Sequence, residues 1–153
     1  MSSLNSMISA IRDRREELQL SYRKLGKMAG ISYSTVCRLE NMSALTRMSY
    51  FFKVCRALGF KIIIYETGNS LGESSEGKEE SLREIAYDVD DDTIVKTFKN
   101  RRIEFNMTYK EIQDISKVSW ILVSEFEDGD RDIEANNLIK IYNALDMEIG
   151  LTL

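Results

Sequence analysis

The sequence predicts a mainly α-helical protein that consists of two tandem helical bundles, each followed by a short β-strand. The first observation is an internal repeat, because a shift of 87 residues aligns 8–64 with 95–151 without a gap. The second is that each copy spaces its apolar residues as amphipathic helices do and ends in a run rich in β-branched residues. The third is the absence of proline from all 153 residues, which is common in helix-rich chains.

The repeat rests on identical residues at equivalent positions. We name residues 1–66 copy 1 and residues 93–153 copy 2, and each is predicted to be a separate domain. The identical pairs include Arg14-Arg15 with Arg101-Arg102, Tyr22 with Tyr109, Ser32 with Ser119, Val36 with Val123, and Glu40 with Glu127.

The first and last helices of copy 1 are predicted from their apolar faces. The last of them covers 47–58, where apolar side chains recur at helical spacing. Gly59 ends this helix, and a strand over 61–65 follows because its residues are mainly β-branched. The apolar positions are Ile8, Ile11 and Leu18 in the first helix, and Met48, Phe51, Phe52, Cys55 and Leu58 in the last.

Two short amphipathic helices are predicted between these two, over 22–29 and 33–40. Ser21 and Ser32 precede them as N-cap residues, whose hydroxyl groups can accept hydrogen bonds from the first free backbone N–H groups. Gly30 lies between the helices and can adopt the left-handed conformation that a tight turn needs.

The segment between the copies, 67–92, is predicted to be an acidic flexible linker. Its first part, 67–81, is rich in Gly, Ser and Glu. Apolar residues at helical spacing indicate a short helix near its end, and the run Asp90-Asp91-Asp92 favours the start of the next helix. Copy 2 then repeats the pattern of copy 1 and ends in a strand over 148–153. The apolar residues of the short helix are Leu82, Ile85 and Val89.

The composition excludes several classes of enzyme. The chain has no histidine, which rules out Ser-His-Asp and Cys-His catalysis as well as histidine-ligated zinc. It also contains neither a G-x-G-x-x-G motif nor a P-loop, so we expect no enzyme and no cofactor. The two cysteines, Cys37 and Cys55, fit no metal or redox spacing. No apolar run is long enough for a membrane span and no secretory signal is present, so we expect a cytoplasmic protein.

The net charge of −4 is distributed unevenly along the chain. Residues 1–66 carry 11 Lys and Arg against 5 Asp and Glu, which gives +6. Residues 67–92 carry 2 against 9, which gives −7, and residues 93–153 carry 8 against 11, which gives −3. Only copy 1 is therefore predicted to face an anion.

The segment SYRKLGKMAGISYSTVCRLE, residues 21–40, has the features of a helix-turn-helix. It resembles the Cro/phage-repressor (XRE-type) family, whose pattern is matched here by Ser21, Leu25, Gly26, Gly30, Ile31, Ser32, Val36 and Leu39-Glu40. Tyr22 departs from it, since family members usually carry Gln there. The resemblance covers about 8–60 and again 95–147, and it implies two tandem lambda-repressor-like helix-turn-helix bundles.

The resemblance implies that helix 33–40 enters the major groove of double-stranded DNA. Its predicted inward residues are Val36 and Leu39, and Arg38 is the best candidate for reading a guanine by bidentate hydrogen bonds. The alternative is that Arg38 is solvated surface and that Tyr33 is packed. The candidate DNA-binding residues are Tyr33, Ser34, Thr35 and Arg38 at the base edges, and Ser21, Tyr22, Ser32, Asn41, Ser43 and Arg47 near the phosphates.

Copy 2 differs from copy 1 at these positions, so we do not expect it to bind DNA in the usual way. Gln113 replaces Gly26 and Lys117 replaces Gly30. Glu125 replaces Arg38, and carboxylates occupy the loop that should face phosphate, where they would be repelled. These are Asp128, Asp130, Asp132 and Glu134.

A cluster of three apolar residues, Trp120, Ile121 and Leu122, replaces Tyr33-Ser34-Thr35 in copy 2. Exposed clusters of this kind often mark protein contacts, so we predict a protein-interaction surface here. The alternative is that part of the cluster turns inward, with Leu122 packed against the first helix of its bundle.

The strand that ends each copy also requires a partner, because a lone edge strand promotes aggregation. The segment LTRMSYFFKVCRALGFKIIIYE resembles the end of HipB-type antitoxin repressors, in which such strands pair across a dimer. Pairing of 61–65 with 148–153 in one chain would make a single-chain pseudo-dimer, and exchange between two chains is equally compatible with the sequence. Because operators of this family are read by two recognition helices, we expect two chains to form a homodimer that presents two copies of helix 33–40.

The sequence therefore predicts a sequence-specific DNA-binding transcriptional regulator, a repressor of bacterial or phage type. The alternative is an antitoxin-like protein that neutralises a partner protein and regulates its own promoter. The apolar cluster of copy 2 and the acidic linker favour this alternative.

Overall fold

A computed structural model describes residues 4–41, 46–68 and 82–153. These residues form eight α-helices and a small three-stranded antiparallel sheet, which confirms the predicted mainly α-helical fold. The elements are α1 (Leu4–Glu17), α2 (Tyr22–Ala29), α3 (Tyr33–Glu40), α4 (Met48–Ala57), β1 (Lys61–Thr67), β2 (Leu82–Tyr87), α5 (Asp91–Glu104), α6 (Tyr109–Ser116), α7 (Trp120–Glu127), α8 (Ala135–Ala144) and β3 (Met147–Thr152).

The caps predicted for α2 and α3 are present. The hydroxyl of Ser21 accepts a hydrogen bond from the backbone N–H of Lys24, and the hydroxyl of Ser32 accepts one from Thr35. Gly30 ends α2 with φ 73°, which is the left-handed conformation that glycine adopts without strain. These local signals explain why α2 and α3 begin and end at the predicted residues.

The elements of copy 2 follow those of copy 1 at a constant offset of 87 residues for all four pairs of helices. Six of the eight described residues with positive φ also form pairs at this offset. The pairs are Gln19 with Asn106, Gly30 with Lys117, and Gly59 with Asp146. The described residues thus contain two bundles of the same architecture.

The sheet joins the two copies within one chain. Its strand order is β2-β1-β3, and β1 pairs antiparallel with β3 so that Ile63 faces Gly150. These two residues occupy equivalent positions in the copies. The pairing therefore relates copy 1 to copy 2 by an approximate twofold axis through this residue pair, as in the single-chain arrangement considered above.

A second contact lies on the same twofold axis. Arg47 and Glu134, which are also equivalent residues, form an isolated antiparallel bridge where α4 and α8 begin. The backbone N–H of Met48 donates to the carbonyl oxygen of Ile133 at 2.8 Å, and Ala135 donates to Thr46 at 2.9 Å. The apolar side chains of both copies contribute to one core cluster.

The prediction of a short helix near the end of the linker is wrong. Residues Leu82–Tyr87 form β2, which pairs antiparallel with β1 on the side opposite β3. The edge of β1 provides backbone hydrogen-bond partners that local spacing does not reveal, and pairing with them decides the conformation. Of the predicted flexible part of the linker, 67–81, Thr67 is the last residue of β1, and residues 69–81 lie outside the described residues. The predicted role of the aspartate run is confirmed, since Asp90 caps α5 by accepting from the N–H of Thr93.

Candidate nucleic-acid interface

Helix α3 presents one buried face and one exposed face. Val36 and Leu39 are buried in the core, as predicted. Tyr33, Ser34 and Arg38 lie on the exposed side, and half of the Tyr33 surface remains accessible. The three residues predicted to point outward therefore share the side of α3 that a ligand can reach.

A buried carboxylate fixes α3 against α1. Glu40 at the end of α3 is fully buried, and its Oε2 accepts from Nη2 of Arg15 at 3.0 Å. This hydrogen bond is the main reason why the pKa of Arg15 is raised. Arg12 also reaches the same region, donating to the carbonyl oxygen of Glu40. A buried pair of this kind defines the orientation of the exposed face of α3 relative to the bundle.

The turn between α2 and α3 depends on the lack of a side chain at Gly26. A Cβ atom there would lie 2.8 Å from the carbonyl oxygen of Ile31 and 3.2 Å from the backbone nitrogen of Tyr33. The backbone N–H of Ile31 donates to the carbonyl oxygen of Gly26 at 2.9 Å. This close approach brings the start of α3 next to α2.

Basic residues of α2 line an open groove beside the start of α3. Arg23, Lys24 and Lys27 are exposed and share this groove with Tyr33. The guanidinium of Arg23 lies 4.6 Å from the centre of the Tyr33 ring. The motif did not identify these three cations, and the signal that points to them is the +6 charge of residues 1–66. A groove of this charge suits the phosphate backbone of a nucleic acid.

The predicted phosphate-contacting residues are distributed around α3, and several also have structural roles. Ser21 and Ser32 are caps, and the hydroxyl of Thr35 lies 2.8 Å from that of Ser32. The side-chain amide of Asn41 donates to the carbonyl oxygen of Cys37 at 2.9 Å. Tyr22 is partly buried under the guanidinium of Arg15.

Two of the predicted phosphate-contacting residues, Ser43 and Arg47, are not among those that the structure places around α3. Ser43 is not among the described residues. Arg47 is exposed at the N-cap of α4, where its backbone pairs with Glu134 of copy 2. Arg47 therefore lies at the junction of the two copies, close to the twofold axis.

The turn of copy 2 accommodates the side chain that replaces Gly26. The Oε1 atom of Gln113 accepts a hydrogen bond from the backbone N–H of Trp120 at 2.9 Å. Val118 donates to the hydroxyl of Ser116 at 3.2 Å, whereas Ile31 at the same position in copy 1 donates to the backbone. Copy 2 thus makes its turn with side-chain hydrogen bonds in place of the close backbone approach.

The exposed side of α7 carries apolar and acidic residues. Trp120 is 42% exposed and Ile121 is 50% exposed. Leu122 is half-buried and packs against the core, as the alternative reading of the apolar cluster anticipated. Glu125, at the position of Arg38, forms an ion pair with Arg131 at 2.7 Å.

The acidic loop of copy 2 contains one residue with a structural role that the sequence did not reveal. The carboxylate of Asp132 accepts from the backbone N–H of Ser49 at 3.1 Å and also from its hydroxyl group. It therefore caps the start of α4 in the other copy. Asp128 and Asp130 are exposed, and Glu134 is partly buried.

Comparison with known proteins identifies one region of the chain. Residues 11–63 match the family model described as helix-turn-helix, which is of the Cro/C1 (XRE) type. No curated protein and no solved structure matches the chain. The matched family is a DNA-binding regulatory domain and not an enzyme family, so residues 11–63 indicate a DNA-binding transcription regulator.

Among the described residues, no group of three or more Cys, Asp or Glu side chains is arranged to hold a metal ion. None of the helices in the described part of the chain is both long and apolar enough to cross a bilayer.

Proposed function

We propose that the protein is a sequence-specific transcriptional repressor in the cytoplasm that inserts α3 into the major groove of DNA. The observation that carries the proposal is the exposed side of α3. It carries Tyr33, Ser34 and Arg38, and Tyr33 also lines the basic groove of α2. The match of residues 11–63 to the helix-turn-helix family supports it.

Base readout and phosphate contact are assigned to different residues. Arg38 donates two hydrogen bonds to O6 and N7 of a guanine, which no other base can accept in the same geometry. Lys24 and Lys27 contact phosphates and set the register of α3 without reading sequence. Occupation of a promoter by the protein then excludes RNA polymerase, which gives repression.

Copy 2 is assigned a role in assembly. At the position of Arg38 it carries Glu125, and exposed Asp128 and Asp130 follow α7, where they would repel a phosphate backbone. The constant offset between the copies supports a degenerate duplicate of copy 1. We also propose that β1 and β3 correspond to the strands that pair with each other in HipB-type antitoxin repressors.

The test is fluorescence anisotropy with DNA from upstream of the protein's own gene, in the presence of excess nonspecific competitor. Arg38→Ala should weaken binding by about 1–3 kcal/mol, because a bidentate contact to a base is lost. The matched control is Glu125→Ala, which changes the equivalent position in copy 2. It should leave the affinity for DNA nearly unchanged. Equal loss in both variants would mean that copy 2 also reads DNA, and wild-type binding that competitor abolishes would contradict the proposal.

We also propose that the protein forms a homodimer through copy 2. Trp120 and Ile121 support this, because two large exposed apolar side chains next to each other are typical of an interface. Size-exclusion chromatography with light scattering should give twice the mass of one chain. A monomer both free and on DNA would contradict this part of the proposal.

The second candidate function is that of an antitoxin-like protein, which binds and neutralises a different protein. The same exposed Trp120 and Ile121 favour it. If it is correct, the product of a neighbouring gene should co-purify with the wild type, and Trp120→Ala should release it. Absence of a complex with any neighbouring gene product would leave the repressor proposal in place.

A further inference from the structure

A cleft of about 490 Å³ lies where the two copies meet, at the starts of α4 and α8. Both residues of the bridge on the approximate twofold axis, Arg47 and Glu134, line it. Small-molecule sites in proteins have volumes of about 300–1,000 Å³, so the cleft has the size of such a site. Its wall includes Arg47, Leu122, Asp130, Ile133, Glu134 and Asn137.

The charged side chains of the cleft fall into two groups. Arg131 is paired with a carboxylate of α7 at 2.7 Å, and Asp132 caps the start of α4, so both are already engaged within the protein. Arg47, Asp130 and Glu134 form no ion pair in the part of the chain that the structure describes. One cation and two carboxylates in the cleft can therefore pair with a ligand.

These charges lie on opposite sides of the twofold axis. Arg47 and Glu134 are equivalent residues, and the cation belongs to copy 1 whereas the carboxylate belongs to copy 2. Asp130 adds a second carboxylate on the side of copy 2. A ligand with separate positive and negative groups can satisfy both sides, whereas a ligand of one sign is attracted to one side and repelled by the other.

Apolar side chains line the same cleft. Ile133 is buried, and Leu122 is half-buried and packs against the core. The side-chain amide of Asn137 adds hydrogen-bond donors and an acceptor. Sites for small molecules combine apolar walls with a few polar groups that fix the orientation of the ligand. The cleft therefore offers an apolar surface beside two opposite charges.

We propose that this cleft binds a zwitterionic α-amino acid with an apolar side chain. The carboxylate of the amino acid pairs with the guanidinium of Arg47, which can donate two parallel hydrogen bonds to it. The ammonium group pairs with Glu134 and Asp130. The apolar side chain lies against Leu122 and Ile133. The ligand thus connects copy 1 to copy 2 at the axis.

Occupation of the cleft engages a residue that is also predicted to contact DNA. Arg47 is one of the residues expected near the phosphates, and a carboxylate bound to it neutralises the charge that phosphate requires. The amino acid should therefore weaken DNA binding and release the repressor from its promoter, while the exposed side of α3 stays uncovered. This consequence rests on the proposed function, whereas the binding of the amino acid does not.

Calorimetry of the full chain with three matched probes tests the site. L-leucine carries both charges, 4-methylpentanoate lacks the ammonium group, and 3-methylbutylamine lacks the carboxylate, while all three share the same branched apolar end. L-leucine should bind at least about tenfold more tightly than either of the others, because each of them loses an ion pair. Equal affinities for the three probes would overturn the proposal. Absence of binding by L-leucine, L-methionine and L-phenylalanine alike, at millimolar concentration, would also overturn it.

Two variants assign the two charges of the ligand. Arg47→Ala should weaken the binding of L-leucine but not that of 3-methylbutylamine, which has no carboxylate. Glu134→Gln should weaken L-leucine and 3-methylbutylamine but not 4-methylpentanoate. The matched control is Asp128→Asn, which neutralises an exposed carboxylate of the same loop outside the cleft and should bind all probes as the wild type does. Equal weakening of all three probes in either variant would indicate a structural effect and overturn the assignment.

Anisotropy with DNA from upstream of the gene separates this inference from the proposed function. L-leucine should lower the affinity of the wild type for DNA, whereas Arg47→Ala should bind DNA more weakly and not respond to L-leucine. DNA affinity that saturating L-leucine leaves unchanged would overturn the competition at Arg47. Binding of L-leucine by a chain without specific DNA binding would support the cleft and contradict the repressor. Specific DNA binding by a chain that binds none of the amino acids would overturn the cleft alone.

Discussion

Substitution of Gly26 by alanine tests the packing that positions α3. The added Cβ would lie 2.8 Å from the carbonyl oxygen of Ile31, and both this atom and the next nearest, the nitrogen of Tyr33, belong to the backbone. No side chain can move aside to make room, so α2 and the start of α3 must separate. Copy 2, which has a side chain at this position, does not make the equivalent of the hydrogen bond between Ile31 and Gly26.

Three contributions determine how much Gly26→Ala changes the free energy of unfolding. Overpacking costs about 1–3 kcal/mol, and loss of the hydrogen bond between Ile31 and Gly26 costs about 1 kcal/mol. The higher helix propensity of alanine offsets about 1 kcal/mol. Gly26→Ala should therefore lower the free energy of unfolding by about 1–3 kcal/mol, which corresponds to a fall in Tm of about 2–4 °C per kcal/mol for a chain of this size.

The assay is thermal and urea unfolding followed by circular dichroism, together with anisotropy on the same DNA. The control is Gln113→Ala, at the equivalent position of copy 2, where the loss is limited to the hydrogen bond to Trp120, about 0.5–1.5 kcal/mol. Gly26→Ala should also weaken DNA binding, because α3 moves relative to α2, whereas Gln113→Ala should not. A Gly26→Ala protein as stable as the wild type would refute the argument from close packing.

Two further predictions concern a cap and the cysteines. Hydrogen bonds from Thr93 lower the pKa of Asp90 in the folded protein. The ionised carboxylate therefore stabilises the folded state at pH values above the pKa of Asp90 in the unfolded chain. This stabilisation is lost as the pH falls through the folded pKa. The Tm difference between wild type and Asp90→Ala should shrink from pH 7 toward pH 3, and a constant difference would contradict the cap. Burial raises the pKa of the Cys55 thiol, whereas Cys37 is partly exposed. A disulfide reagent should therefore modify Cys37 in the folded protein and Cys55 only on unfolding, and equal rates would refute this.

The sequence predicts the elements whose signals are local. Ser21 and Ser32 mark helix starts because their hydroxyls act within three residues, and Gly30 marks a turn because its conformation belongs to one residue. The internal repeat extends these signals to copy 2, which lies outside the residues 11–63 that match the helix-turn-helix family. The fold class follows from them.

Features that depend on distant partners could not be predicted in the same way. Strand β2 forms because an edge of β1 is available, and its own spacing suggested a helix. The contact of Asp132 with Ser49 joins residues 83 positions apart, and the sequence placed Asp132 in a loop repelled by phosphate. The choice between pairing within one chain and exchange between chains also had no local signal, and the structure has the pairing within the chain.

The candidate site was predicted in part. The motif identified the exposed residues of α3, because the helical period separates them from Val36 and Leu39. It did not identify the cations of α2, since the pattern of the family is defined by its packing positions. Only the folded chain shows that they share a groove with Tyr33.

The central claim, that Arg38 of α3 reads a base of the operator, is tested most directly by a double-mutant cycle on DNA. Each guanine of the bound site is replaced in turn, and the affinities of the wild type and of Arg38→Ala are measured at one fixed salt concentration. We expect one position at which the replacement costs the wild type about 1–3 kcal/mol and costs Arg38→Ala almost nothing. If every replacement affects both proteins equally, Arg38 does not read a base and the account of α3 is wrong.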